Sequence, residues 1–336
     1  MVFLAIAALL GFVTTLLLTP LVMEFLSSSG IVGIDQQKED GPELPTSGGV
    51  AVLFGFLVAL TSFIGMSVFL GSGRIATELV LAALSSVLVI ALIGLIDDIH
   101  VREESEEVKE EEQLSVGFRS WWVKPVLVLP AALPLMVVKA GHSVMVLPFI
   151  GSYDWGLLYP LVLVPIGVVA VSNATNMLAG QNGLSAGLGA VALSSLGFFS
   201  LSTGSLEGAA IAFSMALPLL AFLRYNFYPA KVLPGDSLTY GIGAVYIAVT
   251  VIANIERFAV FVFLPWILEA FLKLRSRFQA SSIGELQEDG TLRPKHDSVY
   301  SLTHVLMRFD LTERGIVVAA IVVETVLCIA GFILFL

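Results

Sequence analysis

Ten apolar runs decide what this chain can fold into, at roughly 2–23, 48–70, 79–96, 123–138, 157–172, 184–201, 209–223, 238–253, 259–272 and 316–336. A chain inside lipid must satisfy its backbone hydrogen bonds internally, and a helix does so within a single segment. Crossing the hydrocarbon core takes about 20 residues, so the shorter runs must extend into flanking polar residues or sit where the bilayer thins. The fourth and ninth runs are the weakest of the ten. The expectation is an all-α polytopic membrane protein of about ten transmembrane helices. Composition agrees: of 336 residues, 57% are hydrophobic and 13% charged, about half the charged fraction of a soluble domain. The opening run lacks a basic start and is too long for a cleavable signal peptide, so it reads as a retained first span. The one cysteine, Cys328, excludes an intrachain disulfide and a cysteine-based zinc site.

The basic residues orient the spans. Of the seventeen Lys and Arg, fourteen fall in or beside the loops after odd-numbered runs, leaving Arg74, Lys139 and Arg257 on the other side. Positively charged loops stay in the cytoplasm, so both termini are expected outside. Residues 141–155 do not read as a helix and suggest a short β-hairpin on the outer face. The chain reads as one integral membrane domain, 1–336, with an acidic cytoplasmic loop at 99–122 and a second cytoplasmic loop at 275–314 without a core of its own. Residues 103–112, EESEEVKEEE, hold seven of the twenty-seven acidic residues and read as a solvated segment. With a net charge of −10, they argue against nucleic acid, whose phosphates would be repelled.

Polar residues gather at 33–49, 94–100, 173–183, 224–241 and 275–278, all at the predicted cytoplasmic ends of spans. Ionisable groups beside membrane spans are costly and tend to be functional. Asp97 and Asp98 follow directly on ALIGLI. Adjacent carboxylates repel each other unless a cation or proton intervenes, and Mg2+ is held by one or two carboxylates together with substrate phosphates. A hydrated helix cap explains the pair equally well. Asn173 and Asn176, three residues apart, share one helix face. Gly180, Asn182 and Gly183 follow as a loop whose backbone can approach a ligand closely. Asp236 opens the eighth run as an N-cap would. Asn226, Pro229 and Lys231 crowd the same loop with group types that a nucleoside diphosphate and its metal need. Lys124, behind Trp121 and Trp122, and the pair Arg275 and Arg277 read individually as interfacial anchors. His100, His142, His296 and His304 show no metal-ligand spacing.

In this order, the clusters resemble the polyprenyl-phosphate N-acetylhexosamine-1-phosphate transferase superfamily, glycosyltransferase family 4 in the sequence sense. The closer likeness is to its eukaryotic and archaeal branch, the UDP-GlcNAc:dolichyl-phosphate GlcNAc-1-phosphate transferases, and it runs through nearly the whole chain. NATNMLAGQNG at 173–183 is similar to that branch's Asn-Ala-x-Asn-x-Leu-Ala-Gly-x-Asn-Gly signature. NFYPAKVLPGDS at 226–237 is similar to its Asn-x-x-Pro-x-x-x-x-x-Gly-Asp segment. The resemblance implies that Asn176 and Asp236 are Mg2+ ligands, with Mn2+ able to substitute. It implies that Asp97 and Asp98 form a catalytic pair near the lipid phosphate and that Lys124 holds the diphosphate. Gly180 and Asn182 would line a uracil pocket, and Asn173 and Asn226 would lie on the substrate side of the two motifs. Leu233 stands where eukaryotic members carry an aromatic residue, so stacking on the base would be weaker or made differently. Arg275 and Arg277 match an Arg-x-Arg element contacting the GlcNAc, and Lys38 a basic residue near nucleotide and acceptor. The histidine-rich motif of the muropeptide branch is not matched, since His296 and His304 stand isolated.

The implied enzyme moves GlcNAc-1-phosphate from UDP-GlcNAc to a polyprenyl phosphate of the dolichyl type, giving GlcNAc-diphospho-lipid and UMP. That is a first step of lipid-linked glycan assembly for protein N-glycosylation or a surface polysaccharide. Its partners would be UDP-GlcNAc, the lipid phosphate and the bilayer, and a homodimer is compatible with it. The expected location is the cell membrane with the active site facing the cytoplasm, where nucleotide sugars are made. Alternatives are another UDP-HexNAc donor, undecaprenyl phosphate as acceptor or, from a different class, a transporter or flippase. Transport sites lie near the bilayer midplane, whereas these clusters gather at one face.

Overall fold

The computed structural model describes residues 1–71, 75–107, 123–147 and 151–336; the side chains of 100–107, 123, 124 and 147 lie outside the description. Helix α1 (Val2–Ser28) leads into a short hairpin, β1 (Val32–Ile34) and β2 (Glu43–Pro45), then α2 (Gly49–Phe69) and α3 (Thr77–Glu107). After α4 (Val123–Val128) and α5 (Leu133–Val137) come the strands β3 (Val144–Leu147) and β4 (Gly151–Asp154). A π turn at Tyr159–Leu163 opens α6 (Val164–Met177), followed by α7 (Leu184–Ser202), α8 (Leu206–Asn226) and α9 (Asp236–Ala253). The chain closes with α10 (Glu256–Val262), α11 (Leu264–Arg275), the hairpin β5 (Gly284–Leu286) and β6 (Leu292–Pro294), α12 (Leu302–Met307) and α13 (Glu313–Phe335).

This is a polytopic membrane protein. Among the described residues, eight helices are long and apolar enough to cross a membrane, and the two weakest of the ten runs are the ones that break. In the fourth run Pro125, Pro130 and Pro134 each remove a backbone donor, and the segment divides into α4, a 3-10 turn at Leu129–Ala132 and α5. The ninth run breaks at Phe263, with Pro265 in the first turn of α11, where its missing N–H is tolerated. Helix α3 runs on to Glu107, past the expected loop start at residue 99. The hairpin expected within 141–155 forms, with Val144 opposite Asp154 and Met145 opposite Tyr153.

Helix α9 is the centre of the bundle. Of its spanning residues, 94% are buried inside the protein, against 28% for α13 and 33% for α1. The peripheral helices turn Leu9, Val13, Leu17, Val322, Val326 and Ile333 outward, an apolar surface suited to lipid rather than water. Around α9 pack α3, α6, α8, α7 and α2. Two contacts require the absence of a side chain. A Cβ on Gly94 of α3 would lie 2.6 Å from the backbone of Ser237, and one on Gly243 of α9 would lie 2.5 Å from Ser172 Cα of α6. Those contacts bring the polar ends of α3, α6 and α9 to one place.

The segments at 33–49 and 275–314 are tied to that end. The N–H of Leu233 donates to Pro45 O at 2.8 Å, Gly48 N to Leu233 O at 3.0 Å and Gly49 N to Pro234 O at 2.9 Å, fastening the first loop to the segment before α9. The loop at 275–314 differs from expectation. It carries a small apolar nucleus of Leu292 and Met307, closed by Ile316 of α13 with Leu306 and Leu311 against it. It is clamped to α11 by Glu269, which is fully buried and accepts from Leu302 N at 2.7 Å and Ser301 Oγ at 3.0 Å. His304 is buried beneath the loop, and that burial, with Lys273 nearby, holds its imidazole below the ordinary histidine value.

Candidate functional site

The N-terminus of α9 needs a cap. Its first N–H groups have no partner within the helix, and the capping position is Gly235, which has no side chain. Asp98, arriving from α3, supplies the missing acceptor: Oδ1 takes Asp236 N at 2.7 Å, and Oδ2 takes Ser237 N at 3.4 Å and the Ser47 hydroxyl at 2.8 Å. A carboxylate here also complements the positive end of the helix dipole. Gly235 is required twice over, because its φ of +74 is left-handed and a Cβ would lie 2.5 Å from Asp98 Oδ2. Asp97 is buried beside it. One turn into the neighbouring helix, Asn176 Nδ2 donates to Asp236 Oδ2 at 3.2 Å, and the Thr239 hydroxyl donates to Asn176 Oδ1 at 3.0 Å. Asp98, Asp236 and Asn176, distant in sequence, thus form one connected group, with Asp97 next to it.

A cavity of about 190 Å3 opens beside this group, bounded by Ile34, Gln36, Gly180, Asn182, Leu233 and Ile283. It therefore brings together Gly180, Asn182 and Leu233. Its walls are cross-braced. Gln37, buried, donates from Nε2 to Gly180 O at 2.8 Å and accepts Gly284 N on Oε1 at 3.2 Å. Gln181 Nε2 donates to Ser282 O at 3.0 Å. The N–H of Asn182 donates to Glu313 Oε1 at 2.7 Å, and its side-chain Nδ2 donates to Asp35 Oδ2 at 2.9 Å. Lys38 pairs with Asp35 at 3.3 Å and with Glu313, and lies 4.7 Å from the centre of the Tyr228 ring. Its charge is thus matched within the protein by two carboxylates.

Other candidates separate by position. Asn173 turns its Nδ2 back to Val169 O at 2.8 Å within α6, away from the Asp236–Asn176 pair. Asn226, expected on the substrate side, is buried and donates to Val232 O at 2.9 Å, so it shapes the 227–235 loop from beneath. Arg275 ends α11, with Nη1 donating to Val299 O at 3.3 Å, and Arg277 follows in a left-handed conformation; both are exposed at the edge of the 275–314 loop. The side chains of Lys124 and of the whole acidic run at 103–112 lie outside the described residues. Sequence reasoning passed over Asp35, Gln37, Ser47 and Glu313. The first three lay inside a cluster noted for polarity but not divided by role. Glu313 looked like an ordinary acidic first turn of a span, which complements a helix dipole wherever it occurs.

Among the described residues, no three His, Cys, Asp or Glu gather as a metal-binding group. Asp236 offers a carboxylate, and Asn176, whose NH2 faces Asp236 while its oxygen accepts from Thr239, offers an amide oxygen beside it once the amide turns over. Such a sparse, hard oxygen set fits Mg2+, which keeps most of its positions for water and substrate phosphates.

Residues 80–254 match glycosyl transferase family 4. A protein of Saccharolobus solfataricus, provisionally named UDP-N-acetylglucosamine–dolichyl-phosphate N-acetylglucosaminephosphotransferase, is 32% identical over 329 residues, covering 97% of this chain and 95% of its own length. A protein of Sulfolobus acidocaldarius with the same provisional name is 31% identical over 305 residues, covering 90% of this chain and 87% of its own. The Dictyostelium discoideum enzyme of that name is 27% identical over 289 residues, covering 75% of this chain and 66% of its own.

Proposed function

This chain belongs to glycosyl transferase family 4, and on that premise we infer that it transfers GlcNAc-1-phosphate from UDP-GlcNAc to a polyprenyl phosphate of the dolichyl type. The observation that carries the reading to this chain's own residues is the meeting of Asp98, Asp236 and Asn176 beside a small cavity walled by Gly180, Asn182 and Leu233. A nucleoside diphosphate sugar spans two such places, with its base in a confined slot and its phosphates over hard oxygen donors.

An oxygen of the lipid phosphate bonds to the sugar-bound phosphorus. The bond from that phosphorus to the bridging oxygen breaks, and UMP leaves with that oxygen. All three reacting phosphate groups are anionic, so catalysis rests on positioning and charge stabilisation. Mg2+, held by Asn176 and Asp236, would neutralise the donor diphosphate, and Lys124 would add a second positive charge. Asp98 is engaged by three donors and fixes the start of α9. Its work is therefore to hold Asp236 in place, and keeping the acceptor phosphate deprotonated falls to Asp97. The apolar tail of the acceptor stays in the bilayer beside the bundle.

The bias of Lys and Arg toward one side supports an active site in the cytoplasm of a cell-membrane protein, with both termini outside. Sealed vesicles test activity and sidedness together. UDP-GlcNAc added from outside, with dolichyl phosphate in the bilayer, should release UMP in inverted vesicles and far less in right-side-out ones. No UMP in either preparation removes the assigned reaction, and release confined to right-side-out vesicles reverses the orientation.

A further inference from the structure

We propose that Asp35 sets the base selectivity of the donor pocket by holding the Asn182 amide in one direction, carbonyl toward the base. The inference rests on the cavity at Gly180, Asn182 and Leu233 being the nucleobase slot. An asparagine amide has nearly the same shape in its two orientations, so packing alone does not choose between them; hydrogen-bond partners do. Asp35 is buried and paired with Lys38 at 3.3 Å. An ionised carboxylate only accepts, so the Asn182 NH2 must face it, and Nδ2 lies 2.9 Å from Asp35 Oδ2. The carbonyl then points the other way, and it accepts no hydrogen bond among the described residues. The backbone beneath is held as well, because Asn182 N donates to Glu313 Oε1 at 2.7 Å and Glu313 shares Lys38 with Asp35. Buried Asp35 and Glu313 with half-buried Lys38 therefore form an ionic frame whose output is one fixed acceptor at the cavity wall.

A fixed acceptor distinguishes pyrimidines. Uracil carries N–H at N3 and can donate to it. Cytosine has a lone pair at N3, so two acceptors would face each other. A site built to hydrogen-bond one partner rejects an analogue that leaves the bond unmade. Without Asp35 the amide can turn over, offer its NH2 to cytosine and lose the discrimination. Asp35 touches no substrate atom in this scheme; it is a positioning residue.

The test is equilibrium binding of UMP, CMP and 3-methyl-UMP to the full-length protein in detergent with Mg2+. The unaltered protein should bind UMP at least about a hundredfold more tightly than either analogue, the scale expected when a buried polar group loses its partner. In Asp35→Asn, checked for folding by its thermal transition, the UMP-over-CMP ratio should fall to about tenfold or less. Asp236→Ala should weaken both nucleotides and leave the ratio unchanged, a split that general loosening of the site would not give. An unchanged ratio in folded Asp35→Asn overturns the proposal. Should that variant not fold, 3-methyl-UMP binding as tightly as UMP to the unaltered protein overturns it as well, since no acceptor then faces N3. Ile283→Trp, which fills the cavity, separates the two layers: UMP binding that survives it removes the base slot itself rather than the role of Asp35.

Discussion

Asp236 and Asn176 stand at the ends of membrane helices pressed together at Gly94 and Gly243, whereas Arg275 and Arg277 leave the end of α11 exposed at the edge of a loop. The first pair is held by the packing of the bundle. The second depends on a few hydrogen bonds, from Gln37, Gln181 and Glu269, and on a nucleus of a few apolar side chains. On the proposed reading the two pairs do different work, Asp236 and Asn176 holding phosphate charge where the packed backbone has no alternative position, and Arg275 and Arg277 contacting the sugar from an exposed edge. Disturbance should therefore be close to all-or-none in the first region and graded in the second.

The sharpest test is Asp236→Ala. Turnover should fall on the order of a thousandfold, the upper end for removing one preorganised electrostatic group, while the protein stays folded in the membrane fraction. A loss under tenfold would place the phosphate chemistry elsewhere. Next in size is Asp98→Ala, which removes the cap of α9. Loss of such a cap costs about 1 kcal/mol, visible as a lowered thermal transition, and turnover should fall on the order of a hundredfold as Asp236 slackens. Unchanged stability would show that the α9 end does not depend on Asp98. Arg277→Ala should act more gently, reducing the preference for UDP-GlcNAc over UDP-glucose about tenfold, as loss of a hydrogen-bond donor to the N-acetyl carbonyl would. Equal use of both sugars by the unaltered protein would return the arginines to plain membrane anchors.

The smallest effect concerns His304 within the loop. Its folded pKa is lowered by burial and by Lys273, with His296 and Arg308 adding to the repulsion. Folding thus favours the neutral ring. The stabilisation is present above the unfolded value of about 6.5 and is lost as pH falls through it toward the folded value. Proteolysis of the 279–312 segment should quicken between pH 7.5 and 5.5 in the unaltered protein and much less in His304→Gln. Equal acceleration in both would assign the pH response to another group.

The sequence made the bundle legible because lipid allows so few structures: an apolar run of span length is a helix. The runs at 123–138 and 259–272 fall short of that length, and they are the ones that break, whereas Pro20 and Pro218 sit inside unbroken helices. The gathering of residues 97–98, 176 and 236 was legible only through a resemblance, since nothing in their spacing shows that three helix ends meet. The roles within the cluster were hidden more deeply. Asp98 reads like Asp97 in sequence, and only the N–H groups of a helix begun 138 residues later tell the two apart. Lys38 entered only through the resemblance, as a basic residue near nucleotide and acceptor; its two carboxylate partners lie three and 275 residues away, where no spacing shows them. The apolar nucleus of the 275–314 loop escaped notice because its members are few and scattered among charges.

The central position of α9 also bears on how the protein is made. Most of the helices that surround it, α2, α3, α6, α7 and α8, precede it in the chain, while α10, reached by the Tyr246 hydroxyl at Ala259 O, follows it. With Ser237, Thr239, Tyr240, Tyr246 and Thr250 along its length, α9 gains less from lipid than the outer spans and more from its neighbours. It leaves the ribosome after most of the helices it packs against, with Asp236 at its leading end. Ile283 and Glu313 follow later still, so the candidate site is completed only near the end of synthesis, and a chain stalled before α9 would lack it.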